Sequence, residues 1–386
     1  MKNEWKIKKI YEVCDIFNGS TPLRSNKEFW ENGDVPWFTI DDIREQGRII
    51  NFTKQKITKK ALEKTSVKLL PPESILLCCT ASVGEYAIVK IPTTTNQQFN
   101  GLVVKNQDII CPLFLFYFVS TLKEQLLRLS GKTTIDFIPI SRLREIEIPL
   151  PPLEEQKRIV KILDEVFEGI EKVKENALRN LRNSREVFEA YLQSVFTNHC
   201  DNWKIKKLKE VCDYDKVPNK KTGLPYVGLE DIESNTSKLI GPTTPRVMKS
   251  LTFIFNNEHV LYGRLRPYLN KVLLPSFEGH CSTEIFPIKP KKDLDRRFLF
   301  HWLTWSETVK KINATWTGAT LPRANMNEVL EFLIPLPPFL EQQSIIDKLD
   351  ALAIQTKSLE SLYQSKFTLL EELKKSILQK AFSGGL

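Results

Sequence analysis

The chain has 386 residues, 41% of them hydrophobic and 10% aromatic, with a formal net charge of +9. That length holds two or three domains, and that apolar content supports buried cores and excludes a disordered chain. No apolar run approaches the ~18–20 residues that cross a bilayer, the richest being Ile109 to Val119, and Met1 to Trp5 carries no signal-type segment.

Read along the chain, Trp5-Lys6-Ile7-Lys8-Lys9 and Glu12-Val13-Cys14-Asp15 come first. Ser74 to Cys79, Tyr86 to Ile91 and Gly101 to Val104 read as short strands broken by turns, and Leu113 to Leu129 reads as a helix. Ile148-Pro149-Leu150-Pro151-Pro152-Leu153 then opens a long helix, since proline fits a first turn and not an interior. Its apolar positions alternate steps of four and three: Ile159, Leu163, Val166, Ile170, Val173 and Ala177. After one extra step of four they resume as Leu181, Ser184, Phe188, Tyr191 and Val195, a heptad seam with one stutter.

The chain then repeats itself. Trp203-Lys204-Ile205-Lys206-Lys207 and Glu210-Val211-Cys212-Asp213 restate the opening, and Phe298 to Ile312 restates the shorter helix. Ile334-Pro335-Leu336-Pro337-Pro338-Phe339 recurs 186 residues after its first copy, and the same offset pairs Gln156 with Gln342, Leu163-Asp164 with Leu349-Asp350, and Leu192-Gln193 with Leu378-Gln379. The second seam reads Ile345, Leu349, Leu352, Thr356, Leu359, Tyr363, Lys366, Leu370, Leu373 and Ile377. So long a period means a tandem duplication of domains, not a solenoid. The helices pair either between chains or within one chain, and two similar seams in one chain favour the internal, antiparallel pairing. At ~1.5 Å per residue, about 40 residues make a rod of roughly 60 Å. The expected architecture is α+β: two pseudo-symmetric blocks separated by two long helices in an intramolecular antiparallel coiled coil. The corresponding segments are residues 1–148, a first helix over 149–198, residues 199–334, and a second helix over 335–386.

Charge is partitioned between these parts. Residues 1–150 carry 21 Lys and Arg against 17 Asp and Glu, and residues 199–333 carry 21 against 15, whereas the helical segments carry 8 against 9 and 6 against 6. Basic blocks joined by neutral helices suggest a polyanionic partner. Inside the blocks the copies diverge: Cys78-Cys79-Thr80-Ala81-Ser82-Val83 faces Gly263-Arg264-Leu265-Arg266-Pro267-Tyr268, while Asp42-Ile43 and Asp231-Ile232 survive as a pair. A duplication that keeps its frame and changes its loops reads as two readers of two ligands.

Catalytic constellations are missing. Ser130-Gly131-Lys132-Thr133-Thr134 resembles the end of a phosphate loop, but Leu126 stands where that motif needs glycine. Asp213-Tyr214-Asp215-Lys216 and Glu372-Leu373-Lys374 contain the acid-x-Lys fragment of metal-dependent nucleases, but the first lacks an upstream Pro-Asp partner and the second lies on a coiled-coil helix, so both read as surface charge. Seven cysteines without a CxxC pair indicate reduced cytoplasmic thiols. A zinc site around His199-Cys200, Cys212 and His280-Cys281 would need ligand spacing that is absent.

At this point the chain resembles the specificity subunit of a type I restriction–modification system. Gly19-Ser20-Thr21-Pro22, Trp30, Gly33-Asp34-Val35-Pro36-Trp37 and Asp41-Asp42 resemble the opening of that family's target recognition domains. The two Ile-Pro-Leu-Pro-Pro segments, with Glu155-Gln156 and Glu341-Gln342 behind them, resemble the starts of its spacer helices. The second block departs from the pattern, with Tyr214-Asp215-Lys216 where Gly-Ser-Thr-Pro would stand. The resemblance implies a non-catalytic chain whose two domains each read half of a bipartite double-stranded DNA site in the major groove. It also implies two methyltransferase subunits and restriction–translocase subunits as partners, which would bind S-adenosylmethionine, ATP and magnesium, with no cofactor in this chain. The rivals are a stand-alone DNA-modifying or DNA-cleaving enzyme with duplicated recognition domains, which lacks its motifs here, and a scaffold coiled coil, which leaves the basic blocks unexplained. Because Arg and Lys suit guanine and Asn and Gln suit adenine, the candidate base contacts are Thr95, Asn96, Gln97, Gln98, Lys132 and Arg142 in the first block. In the second they are Arg264, Arg266, Asn270, Arg323 and Asn325.

Overall fold

A computed structural model describes residues 5–130, 137–198, 202–317 and 321–386. The chain divides into two compact units, one comprising Met1–Glu175 with Ser365–Leu386 and the other Asn176–Gln364. The long helices are therefore not bodies apart from the blocks. Leu153–Thr197 and Phe339–Phe382 are each continuous, and each contributes one stretch to either unit.

The first unit is built on a five-stranded sheet in the order Cys14–Asn18, Phe99–Val104, Ile75–Cys78, Tyr86–Val89, Ile49–Ile50. A three-stranded sheet (Gln55–Ile57, Val35–Phe38, Thr94–Thr95) lies beside it in the fold. Lys6–Lys9 pairs antiparallel with Glu147–Leu150, setting Ile7 opposite Pro149. The second unit repeats this plan. Its four-stranded sheet runs Cys212–Tyr214, Ile285–Pro290, Val260–Gly263, Val272–Leu273, and its three-stranded sheet runs Tyr226–Val227, Gly279–Ser282, Thr252–Phe255. Lys204–Lys207 pairs with Leu333–Leu336, again setting Ile205 against a proline, Pro335. The central strand residues Ile75, Leu76, Leu77 and Val260, Leu261, Tyr262 are buried on both faces. Ile75, Leu77, Val260 and Tyr262 pack with the helices, while Leu76 packs with Phe38, and Leu261 with Val227, Phe255 and Cys281, of the three-stranded sheets.

Each shorter helix of the sequence reading is two helices: Pro112–Ser120 and Lys123–Leu129 in the first unit, Arg296–Thr304 and Ser306–Ala314 in the second. The second break is at Trp305, whose extended backbone (φ −62°, ψ 133°) both ends one helix and starts the next. The first is a tight turn in which Thr121 Oγ1 donates back to the Phe118 carbonyl at 2.7 Å.

The residue pairs that survive duplication are those that join parts. Asp42 is buried, accepting from the Thr39 amide at 2.7 Å and the Lys54 amide at 2.8 Å, and Asp231 accepts from the Gly228 amide at 2.7 Å. Gln156 is fully buried at the start of the first long helix. Its amide donates to the carbonyls of Ile109 and Pro151, both at 2.9 Å, and its oxygen accepts from the Cys111 amide at 2.8 Å. Gln342 makes the same three bonds to Asp293, Pro337 and Asp295 at 2.8, 3.0 and 2.8 Å. Each glutamine thus saturates backbone groups that would otherwise be orphaned where helix meets block. Asp164 accepts from Tyr117 Oη and Asp350 from His301 Nε2 at 3.2 Å, which is why Leu-Asp recurs with its leucines (Leu163, Leu349) in the two cores.

Within each unit the two long-helix stretches pair antiparallel. In the first, Lys174 bonds Glu371, Lys374 lies 4.7 Å over the Phe167 ring, and Arg158 donates to the Leu386 carbonyl at 2.8 Å. In the second, Arg185 Nε donates to Glu360 at 2.9 Å while Leu192 and Val195 share a core with Ile345 and Leu349. All eleven predicted seam positions of the first helix, from Ile159 to Val195, are buried or half-buried. The second seam departs from expectation after Tyr363. Lys366 and Leu373 point outward, and Phe367 and Lys374 take the inner positions. A step of four from Tyr363 brings in an aromatic ring in place of an ammonium, so this helix carries a stutter like the first.

Candidate nucleic-acid interface

In the second unit, strand Val260–Gly263 runs into Arg264, whose amide donates to the Glu284 carbonyl at 2.9 Å and whose carbonyl accepts from Ala324 at 2.9 Å. Leu265 bridges Arg323, and Arg266 donates its amide to the Pro322 carbonyl at 2.7 Å. Arg323 is held in turn by a reciprocal pair of backbone bonds to Thr317. Arg264 and Arg266 are thereby brought into one loop cluster with Arg323, which lies far from them in sequence. Arg266 adopts a left-handed backbone (φ 51°), which turns the chain sharply into the Pro267–Leu269 turn and leaves its side chain exposed. Glu284 takes the Nε protons of both Arg264 (2.9 Å) and Arg323 (3.0 Å). Lys216 stacks 4.3 Å over the Phe286 ring, and burial, then the Arg264 charge, holds its ammonium below the usual lysine pKa. Tyr268, Trp316 and Leu321 are exposed on the same segments. Cations interleaved with open aromatic surface suit phosphate and base stacking together.

The first unit carries the same scaffold with other side chains. The Cys79 amide donates to the Gln98 carbonyl at 2.9 Å, Ile138 donates to Cys79 at 2.9 Å, Thr80 bridges Phe137, and Ala81 is left-handed (φ 60°). Cys79, Gln98, Phe137 and Ala81 therefore stand where Arg264, Glu284, Arg323 and Arg266 stand in the second unit. Gly-Ser-Thr-Pro packs on this cluster. Gly19 and Ser20 donate to Phe99 and Thr95 carbonyls at 2.9 and 2.8 Å, and a Cβ on Gly19 would lie 1.9 Å from the Asn96 carbonyl oxygen, so only glycine fits. Thr21 Oγ1 donates to Gln97, and Trp37 Nε1 to the Ser20 carbonyl at 3.2 Å. Arg24, exposed beside exposed Leu23, stacks 3.7 Å over Trp30.

The sequence candidates therefore separate. Arg264, Arg266 and Arg323 converge, and Gln97 and Gln98 lie in the first cluster. Thr95 and Asn96 are buried, and the Asn96 side chain is spent on the Gln98 amide and carboxamide, both at 3.1 Å. Asn325 caps helix Met326–Val329, accepting from the Glu328 amide, and the Asn270 amide donates to the Thr304 carbonyl at 3.2 Å. Arg142 is exposed and donates to the Leu129 carbonyl, while Lys132 lies outside the described residues, as does most of the phosphate-loop-like segment. Arg24, Lys216 and Glu284 were passed over. Arg24 is legible as a basic residue six before a tryptophan, Lys216 reads from the sequence as surface charge, and nothing local marks Glu284. Of the residues weighed and set aside as zinc ligands, Cys212 is buried with its thiol pushed up to about 12, Cys281 is buried, and the two His280 nitrogens are bonded to Thr252 and Arg246. His199 and Cys200 lie outside the described residues. Among the described residues no helix is long and apolar enough to cross a membrane.

One loop scaffold repeated on two α+β blocks, with different side chains in each and a basic, aromatic-edged set in the second, marks a chain built to recognise DNA. A model of the type I restriction modification DNA specificity domain matches residues 2–180 and again 200–365, and the chain belongs to that family of specificity subunits, the non-catalytic members of their systems. The type I restriction enzyme MjaIX specificity subunit of Methanocaldococcus jannaschii is 26% identical, covering 99% of this chain and 94% of that protein. The EcoprrI specificity subunit of Escherichia coli is 37% identical over 40% of each chain. The HsdS subunit from Thermoanaerobacter tengcongensis shares the fold at a TM-score of 0.64, with 20% identity over 100% of this chain and 98% of that one. A chain from a structure of a type I R-M system reaches 0.78, again at 20% identity, over 100% and 99%.

Proposed function

We propose that each block reads one half of a bipartite double-stranded DNA site in the major groove, and that the long helices set the spacing between the halves. The observation that supports this reading most directly is the paired scaffold: the same backbone bonds and the same left-handed turn present Cys79, Gln98 and Phe137 in one unit and Arg264, Glu284 and Arg323 in the other. One scaffold with two side-chain sets suits two different half-sites. The outward faces of the helices, which carry Leu178, Val187, Ile354, Leu362 and Leu369 exposed, serve two methyltransferase subunits, and restriction–translocase subunits join that assembly. S-adenosylmethionine, ATP and magnesium belong to those partners, and the complex works in the cytoplasm on chromosomal DNA. Methylation mapping of a host expressing the chain with its modification subunit tests the proposal. Two short specified halves around an unspecified gap are expected, and a continuous recognition sequence overturns it.

A further inference from the structure

The arginines of the second cluster are bound in an unusual way. Glu284 accepts from Arg264 Nε at 2.9 Å through one oxygen and from Arg323 Nε at 3.0 and 3.1 Å through both. Both guanidinium groups are thus anchored from behind, by the nitrogen nearest the stem. Among the described residues nothing takes their terminal amines, and the two side chains keep 32% and 38% of their surface open. Backbone bonds on either side of Arg264 and Arg323, and the Phe286 ring 5.4 Å from the Arg264 guanidinium, fix the stems as well.

Resting on the DNA-reading proposal above, we infer that Glu284 is a positioning residue that holds Arg264 and Arg323 as two guanine-reading forks, so the half-site read by the second block contains guanine. A guanidinium presents two parallel N–H donors, and guanine presents two matching acceptors, O6 and N7, in the major groove. Adenine and cytosine each place an amino donor there, which faces donors with donors, and thymine offers one acceptor. A phosphate is the poorer fit. The Glu284 carboxylate cancels one of the two charges and repels phosphate oxygens, whereas Lys216 and Arg266 carry no described acidic partner and suit the backbone better. The equivalent residues of the first block, Cys79, Gln98 and Phe137, hold no cation, so the inference concerns one half-site only.

The test uses the full chain assembled with its methyltransferase subunit. Methylation mapping of E284Q, R264A and R323A is expected to show the same half-site relaxed at guanine positions, with the other half unchanged. In binding assays, 7-deazaguanine at those positions removes N7 and should weaken the parent complex about 5- to 150-fold, and weaken R264A or R323A much less at the position each one reads. If E284Q lowers the melting temperature, R323K decides, because it keeps the charge and loses the fork. A relaxed half-site without guanine overturns the inference, as does equal weakening on every sequence or an unchanged recognised sequence. Loss of any bipartite methylation by the parent complex would instead sink the DNA-reading proposal beneath it.

Discussion

Burial, and then the Arg297 guanidinium, push the His301 imidazole down to about 4. Asp350, which accepts its Nε2 proton at 3.2 Å, is already engaged by Arg297 and does not hold a second proton on the ring. Above pH 6.5 neither folded nor unfolded chain carries this charge, and its contribution to stability is full. Between 6.5 and about 4 the unfolded chain takes up a proton that the folded chain refuses, so stability falls with falling pH, by on the order of 3 kcal/mol in all. Denaturant midpoints followed from pH 7 to 4 should show this slope for the second unit, and H301Q should remove most of it. An identical slope in the variant would assign the acid sensitivity elsewhere. At this scale the sequence was least informative. Asn96 and Asn325 looked like readers because an amide suits adenine, but the same amide also caps a turn, and only burial and bonding separate the two uses.

At the scale of elements, heptad spacing located the first seam at every position from Ile159 to Val195, because a buried stripe must recur every three or four residues whatever it packs against. The second seam slipped after Tyr363, where Lys366 and Phe367 compete for one inner position and the larger apolar group wins. The glutamines Gln156 and Gln342 were visible as a repeated pair, but their work, three bonds each to backbone that closes on them from elsewhere in the chain, needed coordinates. The breaks at Thr121 and Trp305 carry no proline or glycine and so gave no signal. If the helices act as a ruler, four residues inserted after Asn176 lengthen the first by ~6 Å while roughly keeping its face. Methylation mapping should then return the same two half-sites with a longer gap, and an altered half-site with the old gap would place the helices in the reading surface instead.

For the whole molecule, duplication and the partition of charge were legible from the sequence because both are sums over many residues, in which single errors cancel. The basic excess is modest, 21 cations against 17 anions in one block and 21 against 15 in the other. Many of the cations themselves are also held by acidic partners, as Lys90 is by Glu73 and Lys207 by Glu331. The isolated chain should therefore bind duplex DNA with micromolar or weaker affinity that falls steeply as salt rises from 50 to 200 mM. Addition of methyltransferase subunits should bring sequence-specific binding. Tight, specific binding by the purified chain at physiological salt would contradict this.

The division into units also has a consequence for how the chain is made. The second unit is one unbroken stretch, Asn176–Gln364, whereas the first takes back Ser365–Leu386 after that stretch is complete. Leu378 and Ala381, with Ile377 and Phe382 beside them, belong to the core that Ile10, Phe114 and Leu163 begin. As the polypeptide leaves the ribosome, the later domain has all its residues in hand while the earlier one still waits with an open seam. Synthesis runs from the first unit to the second, and completion runs the other way.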